Sequence, residues 1–268
     1  MCAFLVVAEK LNGTLRDAAA AIANRDRGYV QDMALRQAGA GADFLDLNAG
    51  TAPANEPDDL AWLVETVQEV TDLPLCLDSA NPKAIAAGLE RAARPPLVNS
   101  VSGERSRLEG ILSLLAGRAW GTIALLLDDS GIPSDVEGRL RVGRRLVEQT
   151  RAAGVSDEQL YVDPLAIAVS TRQDGALVAF ETMRAFRREF PQVRFGIGLG
   201  NVSFGLPGRK VLNRVFLSQA MAAGLDLAIM DPLDPGVMSE LLATEVILGR
   251  DRFCRRYTKA FKAGHIVG

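Results

Sequence analysis

The sequence predicts an α/β fold, a single (β/α)8 TIM barrel formed by residues 1–268 as one domain. Three observations predict it. Eight short apolar runs rich in β-branched residues recur along the chain, and amphipathic helical stretches alternate with them. The 268 residues are close to the roughly 250 typical of one such barrel. Strand–helix alternation calls for a parallel sheet, and eight units favour its closure into a barrel over an open, doubly wound sheet.

The first run, FLVVAE from Phe4, leads into two helical stretches, Arg16 to Asn24 and Tyr29 to Ala38, so this unit carries an addition. The second, DFLDLNAG from Asp43, precedes Leu60, Leu63, Val64, Val67 and Val70, whose spacing gives a helix one buried stripe. The third, PLCLDS from Pro74, ends before Pro82, which suits the first turn of a helix, with either Ser79 or Asn81 as its cap. The fourth, PLVNS from Pro96, is followed by Leu112 and Leu115, and the fifth, TIALLLDD from Thr122, by Leu140, Leu146 and Val147. After the sixth, LYVDPL from Leu160, the helix of Phe180, Met183, Phe186 and Phe190 is stopped by Pro191. RFGIGLGN from Arg194 and LAIMDP from Leu227 complete the set. Near-continuous apolar content means that both faces of each strand are covered, as in a parallel sheet. GIGLGN has the wrong glycine spacing and the wrong place for a dinucleotide fingerprint. No linker divides the chain.

Hydrophobic residues make up 48% and charged residues 24%, and the net charge is −3. That composition is globular and gives no electrostatic reason to expect a nucleic acid. Cys2, Cys76 and Cys254 are odd in number and far apart, which reads as reduced thiols rather than a disulfide or thiolate metal site. The opening MCAFLVVAEKLNG is too soon charged for a signal peptide, and no run approaches the ~18 apolar residues of a spanning helix. A cytoplasmic protein with no membrane partner is the expectation.

In such a barrel the functional groups come from the C-terminal strand ends and the loops beyond them. Here those ends carry Glu9, Asp46, Asn48, Asp78, Asn99, Asp128, Asp129, Asp163, Asn201 and Asp231, an acidic and amide-bearing set with hardly a cation. An Asp, Asn or Ser before a helix is commonly an N-cap. Asp234 fits that role, Asp231 fits either cap or pocket, and Asp128 and Asp129 read as turn chemistry around SGIPSD. Asp78, Asn99, Asp163 and Asn201 lie directly on the ends of apolar strands, where an inward carboxylate or amide is expensive unless something pairs with it.

The absences narrow the chemistry. The sole histidine is His265, so a His-based metal site or a Ser–His triad has almost no support. Lys10, Lys83, Lys210, Lys259 and Lys262 are read as lying outside the strands, which argues against a Schiff-base aldolase. A carboxylate Mg²⁺ site, and with it a metal-dependent hydrolase, is the minor alternative; no metal is expected on this chain. A pterin suits what remains. Its 2-amino group and ring N–H want carboxylates, its carbonyl and ring nitrogens want an amide or backbone N–H, and a flat heterocycle fills an apolar slot with a few convergent polar groups.

The motifs run E-K-L-N-G at Glu9 to Gly13, D-L-N-A-G at Asp46 to Gly50, L-C-L-D-S at Leu75 to Ser79 and V-N-S at Val98 to Ser100. Y-V-D-P-L at Tyr161 to Leu165, G-N-V-S-F-G-L-P-G-R at Gly200 to Arg209 and L-N-R-V-F-L from Leu212 follow. In this order the chain resembles the pterin-binding methyltransferase family, which includes methyltetrahydrofolate:corrinoid/iron–sulfur protein methyltransferase and the folate domain of cobalamin-dependent methionine synthase. The resemblance implies that Asp78, Asn99 and Asp163 hold the pterin edge and that Asn201 sits beside N5 as the catalytic donor. Glu9, Asn12, Asp46, Asn48, Ser100, Gly198, Ser203, Arg209 and Asp231 are further candidates. Gly200 stands where the family often has serine, so that side chain's hydrogen bond is lost. Arg209 faces the folate, the partner or solvent.

The implied reaction moves the N5-methyl group between methyltetrahydrofolate and the cobalt of a corrinoid on a separate protein, in a homodimeric enzyme. No lower-axial cobalamin motif is present, so cobalamin must arrive on the partner and dock over the barrel mouth. With no strong acid foreseen in the site at neutral pH, an amide donor that tightens as N5 gains a proton fits differential binding. The helix bearing Arg139, Arg141, Arg144, Arg145 and Arg151 either meets an acidic partner or forms a solvated face. Two other readings stay open: a dihydropteroate-synthase-like enzyme, whose expected S-R-K, G-E-S-T-R-P and Arg-x-His elements are not found here, and a non-catalytic folate-binding module.

Overall fold

The computed structural model describes residues 4–118 and 120–267; Cys2 lies outside them. Eight parallel strands close on themselves in sequence order: β1 (Leu5–Asn12), β2 (Phe44–Asn48), β3 (Leu75–Asp78), β4 (Leu97–Gly103), β5 (Gly121–Asp128), β6 (Leu160–Asp163), β7 (Arg194–Gly198) and β8 (Leu227–Met230). The ring is sealed by β1 against β8, with Leu5 opposite Leu227 and Val7 opposite Ile229. The eight runs of the sequence are these eight strands. β1 extends further than its apolar run because its register slips between Ala8 and Leu11, and β4 likewise reaches Gly103 through two irregularities.

The helices are α1 (Arg16–Ala23), α2 (Arg27–Gly39), α3 (Glu56–Gln68), α4 (Pro82–Arg91), α5 (Arg105–Leu115), α6 (Val136–Ala152), α7 (Gly175–Glu189), α8 (Arg209–Ala223), α9 (Pro235–Ile247) and α10 (Arg255–Lys262). The additional helix of the first unit is present as α1 and α2. Asn81 caps α4, accepting from Lys83 N–H at 3.1 Å, while Ser79 donates instead to Glu56 Oε1 at 2.6 Å. Asp234 caps α9 through Gly236 N–H at 2.9 Å, and Asp128 takes the Ser130 N–H and hydroxyl, the turn role expected of it.

Two apolar regions result. The larger lies between the sheet and the helices and includes Leu60, Leu63, Val64, Met183 and Phe186. The smaller fills the barrel itself with Val7, Cys76, Leu97, Ile123, Tyr161 and Leu227, a packed interior rather than a pore. Gly196 completes that layer, since a Cβ there would stand 3.1 Å from Leu227 and 3.6 Å from Tyr161. No helix among the described residues is long and apolar enough to cross a membrane.

Candidate active site

Strand side chains alternate between faces, so the position two residues beyond an inward apolar residue also points inward. Val7 is followed in this way by Glu9, Phe44 by Asp46 and Asn48, Cys76 by Asp78, Leu97 by Asn99, Tyr161 by Asp163 and Gly196 by Gly198. The barrel lining thus turns from apolar to acid and amide toward the C-terminal ends of the strands. Cross-strand register holds the set together: Asp78 is opposite Asn99, and the Asn48 side-chain amide donates to Asp78 Oδ2 at 2.9 Å.

The depths differ. Asp46 is 1% exposed, Asn99 9% and Asp163 6%, whereas Asp78 is half-buried. Asp163 Oδ1 accepts from Leu165 N–H at 2.7 Å and the carboxyl also accepts from Gly198 N–H. Asn201 sits on the 3-10 turn Leu199–Ser203 that follows β7, its side chain exposed to solvent. A Cβ on Gly198 would approach the Asn201 amide nitrogen to 2.9 Å, so the absence of a side chain at 198 lets Asn201 fold over the end of β7.

Burial governs the charge states. It lifts Asp163 to about 7 against the hydrogen bonds from Leu165 and Gly198 and the charge of Arg139. It lifts Glu9 to about 7 as well, with Lys10 and Arg209 opposing and Asp231 adding. Asp78 is raised by burial and lowered by the Asn48 hydrogen bond and Arg107. Asp46 is held well above the carboxylate range by burial and by the neighbouring Asp78, and Cys76 beneath it is pushed up for the same reasons. Burial thus lifts Glu9 and Asp163 toward neutral pH, weak acids that the sequence did not foresee at this site, with Asp46 raised as well. Asp46 Oδ1 has no hydrogen-bond partner among the described residues. The carboxyl as a whole is met by the Cys76 thiol and the Asn99 amide, and the grouping of carboxyls and amides complements a ligand that brings its own N–H donors.

The remaining candidates divide. A cavity of about 250 Å3 opens between β1, β8 and the start of α8, lined by Glu9, Lys10, Gly200, Arg209, Asn213 and Asp231 among others. Asp231 is no helix cap; it pairs with Lys10 at 2.8 Å and accepts from Leu233 N–H at 3.0 Å. Arg209, the first residue of α8, folds back to donate to Gly200 O at 2.7 Å and Ser203 Oγ at 3.1 Å, bracing the Asn201 turn. Ser203 is fully buried in that brace. Asn12 takes the Thr14 N–H and hydroxyl at 2.9 and 2.7 Å, a local turn role. Ser100 is buried on β4, joined to Asn99 by a cis peptide.

Cations are more numerous here than the strand ends suggested. Lys10 lies inside β1, contrary to expectation, because the irregularity after Ala8 carries the strand past it. Arg107 on α5 reaches toward Asp78. Arg139, grouped with a solvated face, is instead fully buried. The other arginines of α6 fit that face better: Arg144 pairs with Glu137 and Glu189 at 2.8 Å and Arg151 with Asp157 at 2.7 Å. Among the described residues no cluster of three or more His, Cys, Asp or Glu is arranged around a metal position.

Residues 18–231 match the family described as pterin binding enzyme. The methylcorrinoid:tetrahydrofolate methyltransferase of Eubacterium limosum is 37% identical over 264 residues, 98% of this chain and 97% of that protein. The methionine synthase of Mycobacterium leprae is 33% identical over 212 residues, 74% of this chain but 18% of that much longer protein. In fold, the chain superposes on dihydropteroate synthase from Xanthomonas albilineans in complex with 7,8-dihydropteroate with a TM-score of 0.66 at 19% identity, covering 92% of this chain and 93% of that one. The Yersinia pestis dihydropteroate synthase gives 0.68 at 17%, covering 93% and 94%. The acid-and-amide mouth, the matched span and the full-length relative agree: this chain belongs to the pterin-binding enzyme family.

Proposed function

We propose that the protein moves a methyl group between N5 of methyltetrahydrofolate and the cobalt of a corrinoid carried on a separate protein. One observation carries this reading: Asp78 and Asn99 end the adjacent strands β3 and β4, Asp163 ends β6 two strands on, and Asn201 packs against Gly198, whose N–H meets the Asp163 carboxyl. It occurs in a chain with a full-length methyltransferase relative. As anions, Asp78 and Asp163 accept from the pterin's 2-amino group and ring N–H, and Asn99 pairs with its remaining polar edge.

In one direction the Co(I) electron pair forms a bond to the methyl carbon, the carbon–N5 bond breaks with its electrons kept by N5, and N5 takes up a proton. In the other, N5 attacks the methyl on cobalt, Co(I) departs with the bonding pair and N5 gives up its proton. The amine is a poor leaving group, so a donor that strengthens its bond as N5 becomes basic lowers the barrier. The brace of Arg209, Ser203 and Gly200, which fastens the turn bearing Asn201, supports that role. Glu9, lifted to about 7 by burial and outside the proposed pterin contacts, is fit to hold the proton near neutral pH.

The test mixes the protein with methyltetrahydrofolate and chemically reduced cobalamin and follows the visible spectrum. Catalysed conversion of cob(I)alamin to methylcob(III)alamin is expected. Stoichiometric folate binding without methyl exchange would leave a binding module. Condensation of p-aminobenzoate with hydroxymethyl-dihydropterin diphosphate would instead point to a synthase.

A further inference from the structure

Beneath the turn that follows β6 lies a cation that the proposed reaction does not use. Arg139, in the first turns of α6, is fully buried, although an arginine is almost never so enclosed without a paired charge. Its Nη1 donates to the carbonyl of Pro164 at 2.6 Å and its Nε to the carbonyl of Pro133 at 3.2 Å. Its Nη2 has no hydrogen-bond partner among the described residues. Pro164 immediately follows Asp163, and Pro133 belongs to the loop between β5 and α6.

The turn held in this way is strained. Leu165 adopts φ +58, a left-handed conformation that costs a non-glycine residue roughly 1–2 kcal/mol. Its N–H is the group that donates to Asp163 Oδ1. The guanidinium therefore grips the carbonyl one residue before the strained position, and that position orients the carboxyl. Asp163, Asp174 and Asp135 attract Arg139 and Arg172 repels it, so its charge falls on the same carboxyl that its hydrogen bonds position.

We propose that Arg139 is a positioning residue for pterin binding, clamping the loops after β5 and β6 so that the Asp163 carboxylate faces the ligand. The inference rests on the reading that Asp163 contacts the pterin. Charge and geometry act together: the buried cation favours the anionic acceptor, and the Pro164 bond fixes where it points. A solvated arginine would do neither. The sequence reading missed this because a helix rich in arginine suggests a solvated face.

The experiment measures methyltetrahydrofolate affinity by calorimetry from pH 5.5 to 8.5 for wild type, Asp163→Asn, Arg139→Met, Arg139→Lys and the double variant Arg139→Met/Asp163→Asn, each checked for folding by circular dichroism. Wild-type binding that Asp163→Asn weakens establishes the underlying assignment, and its absence counts against that assignment rather than against the clamp; if Asp163→Asn leaves no measurable binding, the pH midpoint of Arg139→Met against wild type decides alone. Given that result, Arg139→Met is expected to lose about tenfold or more in affinity at pH 7 and to move the midpoint of the pH profile upward by roughly half a unit or more. Arg139→Lys should restore the midpoint while recovering only part of the affinity. The Arg139→Met loss should shrink in the Asp163→Asn background. A folded Arg139→Met protein with the wild-type midpoint, or a loss of equal size in both backgrounds, overturns the proposal. If Arg139→Met does not fold, Arg139→Lys decides: reduced affinity that is coupled to Asp163→Asn supports the clamp, and unchanged or uncoupled affinity rejects it.

Discussion

The side-chain amide of Asn48, at the end of β2, donates to Asp78, at the end of β3, across 2.9 Å. This bond keeps Asp78 lower than burial alone would leave it, and so favours the anion that a pterin's donors require. Arg107 acts in the same sense from α5, as Arg139 does for Asp163. Each of the two proposed pterin carboxyls therefore has a guanidinium nearby that offsets part of its desolvation. Removing the amide with Asn48→Ala should reduce methyltetrahydrofolate affinity at pH 7 by about ten- to a hundredfold, the worth of a hydrogen bond to a charged group. Calorimetry at pH 7 and 8.5 checks it: the loss should narrow at the higher pH, where Asp78 ionises without help.

The raised carboxyl of Asp163 sets stability against binding. A folded-state pKa of about 7, above the ~3.9 of an unfolded aspartate, means that the folded chain holds this proton more tightly. The corresponding stability is fully present below the unfolded value and is lost as pH rises through 7, by on the order of a few kcal/mol. Glu9 contributes in the same direction over the same window. Ligand binding has the opposite sign, because the anion is the better acceptor, so affinity should rise through pH 7. Asp163→Asn should unfold at a higher temperature than wild type at pH 8, with the difference vanishing toward pH 4. Equal melting temperatures for the two proteins at pH 8 would argue that the carboxyl is not held protonated.

Two glycines of the β1 and β2 motifs explain themselves by contact. A Cβ on Gly13 would stand 2.0 Å from the Ala49 carbonyl, and Gly50, at φ +61, would meet Gly13 backbone at 2.6 Å. The close approach is closed by Gly13 N–H donating to Asn48 O at 2.7 Å, the residue whose side chain supports Asp78. Gly13→Ala is expected to lower stability by roughly 2–4 kcal/mol, or roughly 5–15 °C in Tm for a chain of this size. Any folate affinity that the folded variant retains should be weaker, since β2 must shift where Asn48 is attached. Thermal unfolding followed by calorimetric binding measures both effects.

How far the sequence could be read depended on whether the signal was periodic. The eight strands were legible because each is apolar on both faces, and the inward acids and amides were legible because they continue a two-residue alternation begun by Val7, Cys76, Leu97 and Tyr161. Where the alternation breaks, the reading fails: β1 slips register after Ala8, and Lys10 came out on the wrong side of its boundary. Arg139 shares the buried stripe of Val142, Gly143 and Leu146 on α6, a helical spacing that could have exposed it, but its charge suggested solvent. Arg209 could not have been placed, because folding back onto Gly200 and Ser203 follows from the geometry of an irregular turn.

The sharpest division of labour concerns Asn201. Asn99 and Asp163 are buried and Asp78 half-buried, while Asn201 alone of the four is exposed, on a turn fastened by Arg209. An exposed amide can save its strongest hydrogen bond for the reacting nitrogen. Asn201→Ala should therefore cut kcat for methyl transfer by about a hundredfold or more, the effect of removing one transition-state donor, with a smaller loss of folate affinity. Asp78→Ala and Asp163→Ala should do the reverse, abolishing binding while the fold survives. Arg209→Met, which releases the turn without touching the amide, should resemble a milder Asn201→Ala, and adding it to Asn201→Ala should have little further effect on kcat. Single-turnover methyl transfer at saturating folate separates these outcomes: if Asn201→Ala loses only affinity and turns over at the wild-type rate, the amide is a binding contact and the proton at N5 is managed elsewhere.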